Sequence, residues 1–188
     1  MKRFPILIVD NFFDRPDFII EYSKTLKYFK PNKTQKNQQW PGVRTKSINY
    51  FNEKLFQFIL LKTLSYYYSK IDLNNIDVIG RAFFSKTTIK DQSLYKNKDE
   101  IHKDCDSILA GVIYLNNNND FDTGTSIYDN DLSLKTKTSN LFNSMICYDT
   151  NEYHGPSNLT KDRLTIPFFI DRLNIKYPYD RSNELKGF

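Results

Sequence analysis

From Asp77 to Asp171 the chain is cut into short segments rich in β-branched and aromatic residues, separated by polar loops, at about 77–87, 101–104, 108–115, 124–128, 141–149 and 162–171. Strands this short and this numerous pair antiparallel and must deal with their open edges, and a jelly roll is one of the ways antiparallel sheets do so. Aromatic residues make up 15% of the chain while glycine numbers only six, so the core must be filled by Phe, Tyr, Ile and Leu, which favours strands over helix-only packing. Ahead of this region, Ile6 to Val9 reads as a buried strand. Asp14 is placed to cap a helix with Pro16 in its first turn, and Phe18, Ile19, Tyr22, Leu26 and Phe29 at helical spacing lead to a stop at Pro31. Asn52 is placed to cap a second helix running to about Ser69, with an apolar stripe of Leu55, Phe56, Ile59, Leu60 and Leu64.

At 188 residues the chain fits one domain. The expected class is α+β, in three parts: a helical N-terminal part over 1–76, a double-stranded β-helix (jelly roll, cupin-like) over 77–172 braced by those helices, and a tail over 173–188. Pro167 falls inside the last expected strand and lacks a ladder donor, so an edge or a bulge is expected there.

The net charge of +5 comes from basic residues spread along the chain without a dense Lys/Arg run, alongside enriched Asn, Ile, Tyr and Phe. This pattern reflects coding bias more than a nucleic-acid surface. Cys105 and Cys147 fit neither a disulfide framework nor a zinc ribbon. The apolar run behind Met1-Lys2-Arg3 ends at Asp10, too short for a signal peptide or a membrane span. A soluble, cytoplasmic protein is the expectation.

The chain has two histidines, His102 and His154. A lone histidine is more often a satisfied structural residue than a metal ligand. However, residues two apart on an extended strand share a face, so His102 and Asp104 can present an imidazole and a carboxylate to one point, and His154 would complete the set. Two histidines and a carboxylate on one face of a metal, with open positions opposite, suit non-haem Fe(II) oxygenases. In such a strand Cys105 would point away from the metal, and Asp106 would share the face of Asp104 and accept hydrogen bonds from the ligands. In the first half, Trp40-Pro41-Gly42-Val43-Arg44-Thr45 reads as a compact turn holding an aromatic and a guanidinium together. Such a turn either lines a pocket or anchors a surface loop.

Three segments together resemble the prolyl-hydroxylase-like branch of the 2-oxoglutarate and Fe(II)-dependent oxygenases: His102-Lys103-Asp104; Val112-Ile113-Tyr114-Leu115-Asn116; and His154 followed nine residues later by Arg163, which opens Arg163-Leu164-Thr165-Ile166-Pro167-Phe168-Phe169-Ile170-Asp171. The resemblance implies that His102, Asp104 and His154 hold Fe(II). It implies that Arg163 pairs with the distal carboxylate of the co-substrate 2-oxoglutarate and that Tyr114 donates its hydroxyl to the same group. The implied reaction consumes O2 and hydroxylates an unactivated C–H bond of a peptidyl (prolyl-like) side chain or a small molecule, with succinate and CO2 as co-products. Independently of the resemblance, a dicarboxylate in a buried site needs a fixed counter-charge, and a guanidinium supplies two parallel hydrogen bonds. Arg163 paired to Asp162 or Asp171 is the plain alternative. Two other functions stand against the oxygenase: a jelly-roll binding module, and a cupin-type metalloprotein that uses no 2-oxoglutarate.

Overall fold

The computed structural model describes residues 4–30, 41–68, 75–93, 101–104, 106–117, 119–157 and 159–175. Its longest strand, β10 (Arg163–Ile175), sits inside a seven-stranded sheet. On one side β5 (Leu109–Tyr114) pairs with Thr165 to Ile170, and β8 (Met145–Asp149) and β1 (Leu7–Val9) follow outward. Two strands share the other side. There β4 (Ser85–Thr87) pairs with Arg163 to Thr165, and β3 (Ile76–Ala82) pairs with the length from Phe168 to Ile175. The two-residue β2 (Val43–Arg44) closes this edge against β4. A second sheet places β6 (Thr125–Tyr128) between β7 (Leu134–Lys137) and β9 (Tyr153–Pro156). The two sheets form the expected jelly roll.

Alternation along β5 divides the interior in two. Leu109, Ile113 and the following Leu115 enter a large core with Phe56, Ile59, Leu60 and Leu64 of α2 (Glu53–Tyr67) and Ile20 of α1 (Pro16–Lys24). Ala110 and Tyr114, with Val112 packed beside them, join Ile127 of β6, Ile146 and Tyr148 in a smaller core between the sheets. The helices therefore brace one face of the large sheet, and the other face turns towards the small sheet. Gly111 is needed in this arrangement because a Cβ there would collide with the ring of Phe168, its cross-strand partner.

Pro167 lies inside the sheet rather than at its edge, and its pairing explains why this is tolerated. The run 77–87 is two strands, broken at Phe83 and Phe84 directly beside Pro167, whose carbonyl accepts from the Phe83 amide at 3.0 Å. The residue without an N–H faces the one stretch where the neighbouring ladder is interrupted.

The first helix is shorter than its apolar spacing suggests. Arg15, not Asp14, occupies the N-cap without a side-chain bond, α1 ends at Lys24, and Phe18 stays 66% exposed while Ile20 and Ser23 are buried. Phe29 is excluded from the helix because its amide and carbonyl are both used by Arg44, at 2.7 and 2.9 Å. The second helix matches expectation closely. The Asn52 side chain accepts from the Leu55 amide at 3.1 Å, and the helix ends at Tyr67. Asn52→Ala should destabilise the fold by about 1 kcal/mol, read as a lower denaturant midpoint at unchanged m-value.

Cys147 is fully buried, its thiol 3.1 Å from the Tyr67 hydroxyl, and burial pushes its pKa up to about 12. It is an inert core residue. Cys105 and Trp40 lie outside the described residues. No helix among the described residues is long and apolar enough to cross a membrane.

Candidate metal centre

His154 projects from β9 into the space between the sheets and is 6% exposed. Across the free edge of β9, His102 forms an isolated antiparallel bridge to it, each amide donating to the other's carbonyl at 2.9 Å. The stretch 101–104 is thus a bridge and not the regular strand expected. The Asp104 amide donates to the Thr150 carbonyl at 3.2 Å, and the chain then turns, with the Ser107 amide donating back to Asp104. This turn places Asp106 on an exposed rim, so it does not continue the face of Asp104.

The three side chains converge all the same. One ligand atom from each of His102, Asp104 and His154 lies within 4.8 Å of the others. The imidazole Nε2 of His154 is 3.1 Å from one oxygen of Asp104, and that of His102 is 3.7 Å from the other. His154 Nδ1 lies 3.1 Å from the Glu152 carbonyl. That contact is a hydrogen bond only if Nδ1 carries the proton, which leaves the Nε2 lone pair aimed at a carboxylate oxygen. Two lone pairs at that distance repel unless a cation lies between them, so the donor set fits a divalent metal held by two imidazoles and one carboxylate. Burial opposes ionisation of Asp104. Opposing it are the contact with His154, in which Nε2 donates when it carries a proton in place of a metal, and the nearby charges of His154, His102 and Arg44; together they outweigh burial and hold the carboxyl below its ordinary range. The ring of Tyr148, 4.6 Å from that of His154, covers the inner side.

These residues open on a cavity of about 730 Å³ whose wall also carries Arg163, Thr125, Thr165 and Phe169. Arg163 has neither of the partners the plain alternative offered. Asp162 accepts from the Ile89 amide, and Asp171 is engaged by Ser107 and Arg81. The Arg163 Nε is buried without a hydrogen-bond partner, and desolvation lowers its pKa, with nearby Tyr114 opposing. A buried guanidinium nitrogen left this way lacks an acceptor, which a bound carboxylate would supply. Tyr114 stands just behind the wall, its hydroxyl 2.6 Å from Thr125 Oγ1 and 3.4 Å from Thr138 Oγ1.

Two further guanidiniums reach the cavity: Arg44, from the Pro-Gly turn for which pocket lining was one of two expectations, and Arg81, which no motif indicated. Arg44 reaches the cavity from β2 because Gly42, at φ +81°, turns the chain where any Cβ would strike the Lys86 carbonyl. Of the two readings of the Pro-Gly turn, pocket lining holds for Pro41 and Arg44. Arg81 projects from β3 on the same face as Phe83, Ser85 and Thr87. Its signal was the period-two spacing of 81, 83, 85 and 87, hidden by the break between β3 and β4.

The two sheets with this cavity between them have the fold of the prolyl-hydroxylase-type 2-oxoglutarate/Fe(II) oxygenases. The chain is similar to a prolyl hydroxylase from Trichoplax adhaerens solved with a hypoxia inducible factor oxygen degradation domain peptide fragment (TM-score 0.56, 11% identity, 97% of this chain and 87% of that one). It is similar as well to a prolyl 4-hydroxylase from Phytophthora capsici (TM-score 0.57, 9% identity, 97% and 66%) and to a 2OG-Fe(II) oxygenase family oxidoreductase from Burkholderia pseudomallei (TM-score 0.54, 10% identity, 90% and 85%). By sequence, residues 1–141 match DUF6445, described as a family of unknown function, and the chain belongs to that family. His102 and Asp104 lie within the match, and His154 and Arg163 beyond it. No curated protein matches by sequence.

Proposed function

We propose that the protein is an Fe(II)- and 2-oxoglutarate-dependent oxygenase that hydroxylates an unactivated C–H bond of a peptidyl (prolyl-like) side chain or a small molecule. The observation that carries this reading is the shared cavity: a two-histidine, one-carboxylate cluster on its wall, and in the same wall a buried guanidinium without a carboxylate partner among the described residues. A binding module has no use for the first, and a cupin-type metalloprotein without 2-oxoglutarate has no use for the second.

His102, Asp104 and His154 would hold the metal, with the Glu152 carbonyl keeping the His154 proton on Nδ1 and Nε2 available. Arg163 would take the distal carboxylate of 2-oxoglutarate through charge-assisted hydrogen bonds, and Tyr114 would serve the same carboxylate from behind Thr125. Tyr148 and Phe169 also line the cavity, and their rings would help to keep water from the reacting atoms. When bound, iron and 2-oxoglutarate supply the oxidising power, O2 being consumed as 2-oxoglutarate is converted to succinate and CO2 and one oxygen atom passes to the substrate.

The test is succinate formation from 2-oxoglutarate by purified protein with Fe(II) and O2 and no added substrate. Slow uncoupled turnover that stops under argon is the expected result. Metal retention without 2-oxoglutarate binding would favour the cupin reading, and loss of both would favour the binding module.

A further inference from the structure

Arg163 Nε is not the only donor in the cavity wall that lacks an acceptor. Tyr148 is 3% exposed, it lines the cavity, and its hydroxyl forms no hydrogen bond among the described residues. We infer that this hydroxyl binds the co-substrate, donating a hydrogen bond to its 2-oxo acid end while Arg163 takes the distal carboxylate. This rests on the oxygenase reading of the same cavity.

The unanswered hydroxyl is the first support. A buried phenol O–H ordinarily finds an acceptor, because leaving one without a partner forfeits its hydration for nothing. Tyr114, in the same small core, shows the usual solution, with Thr125 Oγ1 at 2.6 Å and Thr138 Oγ1 at 3.4 Å. If packing on Ala110, Ile127 and Ile146 were the whole task of Tyr148, a phenylalanine would do it at lower cost. Burial pushes the Tyr148 pKa well above its ordinary value, and the charges of Asp104, Tyr114 and Cys147 add to the rise. What faces the cavity is therefore a neutral O–H.

Placement is the second support. Tyr148 and Phe169 both pair with Ala110, from opposite sides of β5, whereas Thr165 pairs with Tyr114, four residues further along that strand. At the rise of an extended strand this is about 13 Å. Arg163 lies two residues beyond Thr165 on β10, so Arg163 and Tyr148 stand at opposite ends of one wall, with the cross-strand pair Val112 and Pro167 lining the cavity between them. The Tyr148 end is the metal end, since its ring lies 4.6 Å from that of His154. A 2-oxo dicarboxylate carries oxygen acceptors at both of its ends, and the wall carries an unanswered donor at each of its own.

Depth separates co-substrate from substrate. The His102 side chain is 49% exposed and that of His154 only 6%, so the cluster turns His102 to the mouth and His154 to the interior. Tyr148 packs on His154 and shares its depth, as does the buried Nε of Arg163. A substrate arriving through the mouth meets the His102 side first. A molecule anchored on Arg163 and reaching the metal residues follows the inner wall and brings its 2-oxo acid oxygens to the Tyr148 hydroxyl.

Tyr148→Phe keeps the ring and removes the hydroxyl alone. The test titrates 2-oxoglutarate, and 2-oxobutyrate, which lacks the distal carboxylate, into anaerobic Fe(II)-loaded wild type, Tyr148→Phe and Arg163→Ala. Binding is followed by the visible charge-transfer absorption of an Fe(II) 2-oxo acid chelate. Tyr148→Phe should weaken both compounds by the same factor, about tenfold, as expected for one hydrogen bond to a charged group, and should shift the absorption maximum of both chelates. Arg163→Ala should weaken 2-oxoglutarate alone. Without a 2-oxo acid, Tyr148→Phe should hold Fe(II) as tightly as wild type and melt at the same temperature or higher, because the hydroxyl it removes has no partner to lose. Unchanged affinities for both compounds, a loss confined to 2-oxoglutarate, or a lowered melting temperature of the ligand-free variant would each overturn the proposal and leave the oxygenase reading intact. If wild type held Fe(II) but bound neither 2-oxo acid, the oxygenase reading itself would fall, and this assignment with it.

Discussion

Alanine at His154 is expected to strip the protein of its metal, lowering Fe(II) or Mn(II) affinity by more than about 100-fold, because even the outer partners of metal ligands are worth about 10–100-fold. The same loss is expected for Asp104→Ala, which removes the only anionic donor of the set. His102→Ala should have a smaller effect, since the His102 side chain is half exposed and its Nε2 stands farther from the carboxylate, while His154 is buried against Tyr148 and oriented by the Glu152 carbonyl. The fold should survive all three changes, because none of these side chains belongs to either hydrophobic core. Metal content measured after dialysis, beside the far-ultraviolet circular dichroism of each variant, checks both halves. Wild-type metal content in all three variants would sink the triad, and an unfolded metal-free wild type would indicate a structural metal instead.

The parts of this site that were legible in the sequence are those whose physics is local. His102 and Asp104 sit two apart, and their convergence needs only an extended backbone over three residues, which the single bridge to His154 provides even though no regular strand forms. The alternation of Ala110, Val112 and Tyr114 was legible for the same reason, and so was the Asn52 cap. What stayed hidden depends on partners distant in sequence. β7 runs over Leu134 to Lys137 with mostly exposed side chains on an outer edge, so no apolar alternation marks it. β9 is Tyr-His-Gly-Pro, half of it poor strand-forming residues, and exists because β6 pairs with it. β2 has two residues and is defined by Phe29 on one side and β4 on the other. That pairing carries Arg44 into the cavity, as one reading of the Pro-Gly turn expected, and it also draws Phe29 out of the expected helix.

Arg163 offers the sharper division of labour, since its role is separable from the metal. Arg163→Ala should leave metal content and fold unchanged yet weaken 2-oxoglutarate binding by about tenfold or more, because a charge-assisted hydrogen bond contributes about 1.5–3 kcal/mol and 1.4 kcal/mol is one decade of affinity. The effect should lie at the upper end of that range. The Nε is buried without a partner, and the described residues place no carboxylate on the guanidinium, so little stands ready to replace the ligand's oxygens. Lys at this position should recover only part of the affinity, for an ammonium supplies charge without the planar fork. Thr165 and Thr87, which flank Arg163 on β10 and across β4, keep the strand pairing intact in either variant. Anaerobic titration of 2-oxoglutarate into Fe(II)-loaded wild type, Arg163→Ala and Arg163→Lys decides the matter. Equal affinities would remove Arg163 from the site, and a loss confined to metal content would mean that the arginine supports the metal-binding residues and not the co-substrate.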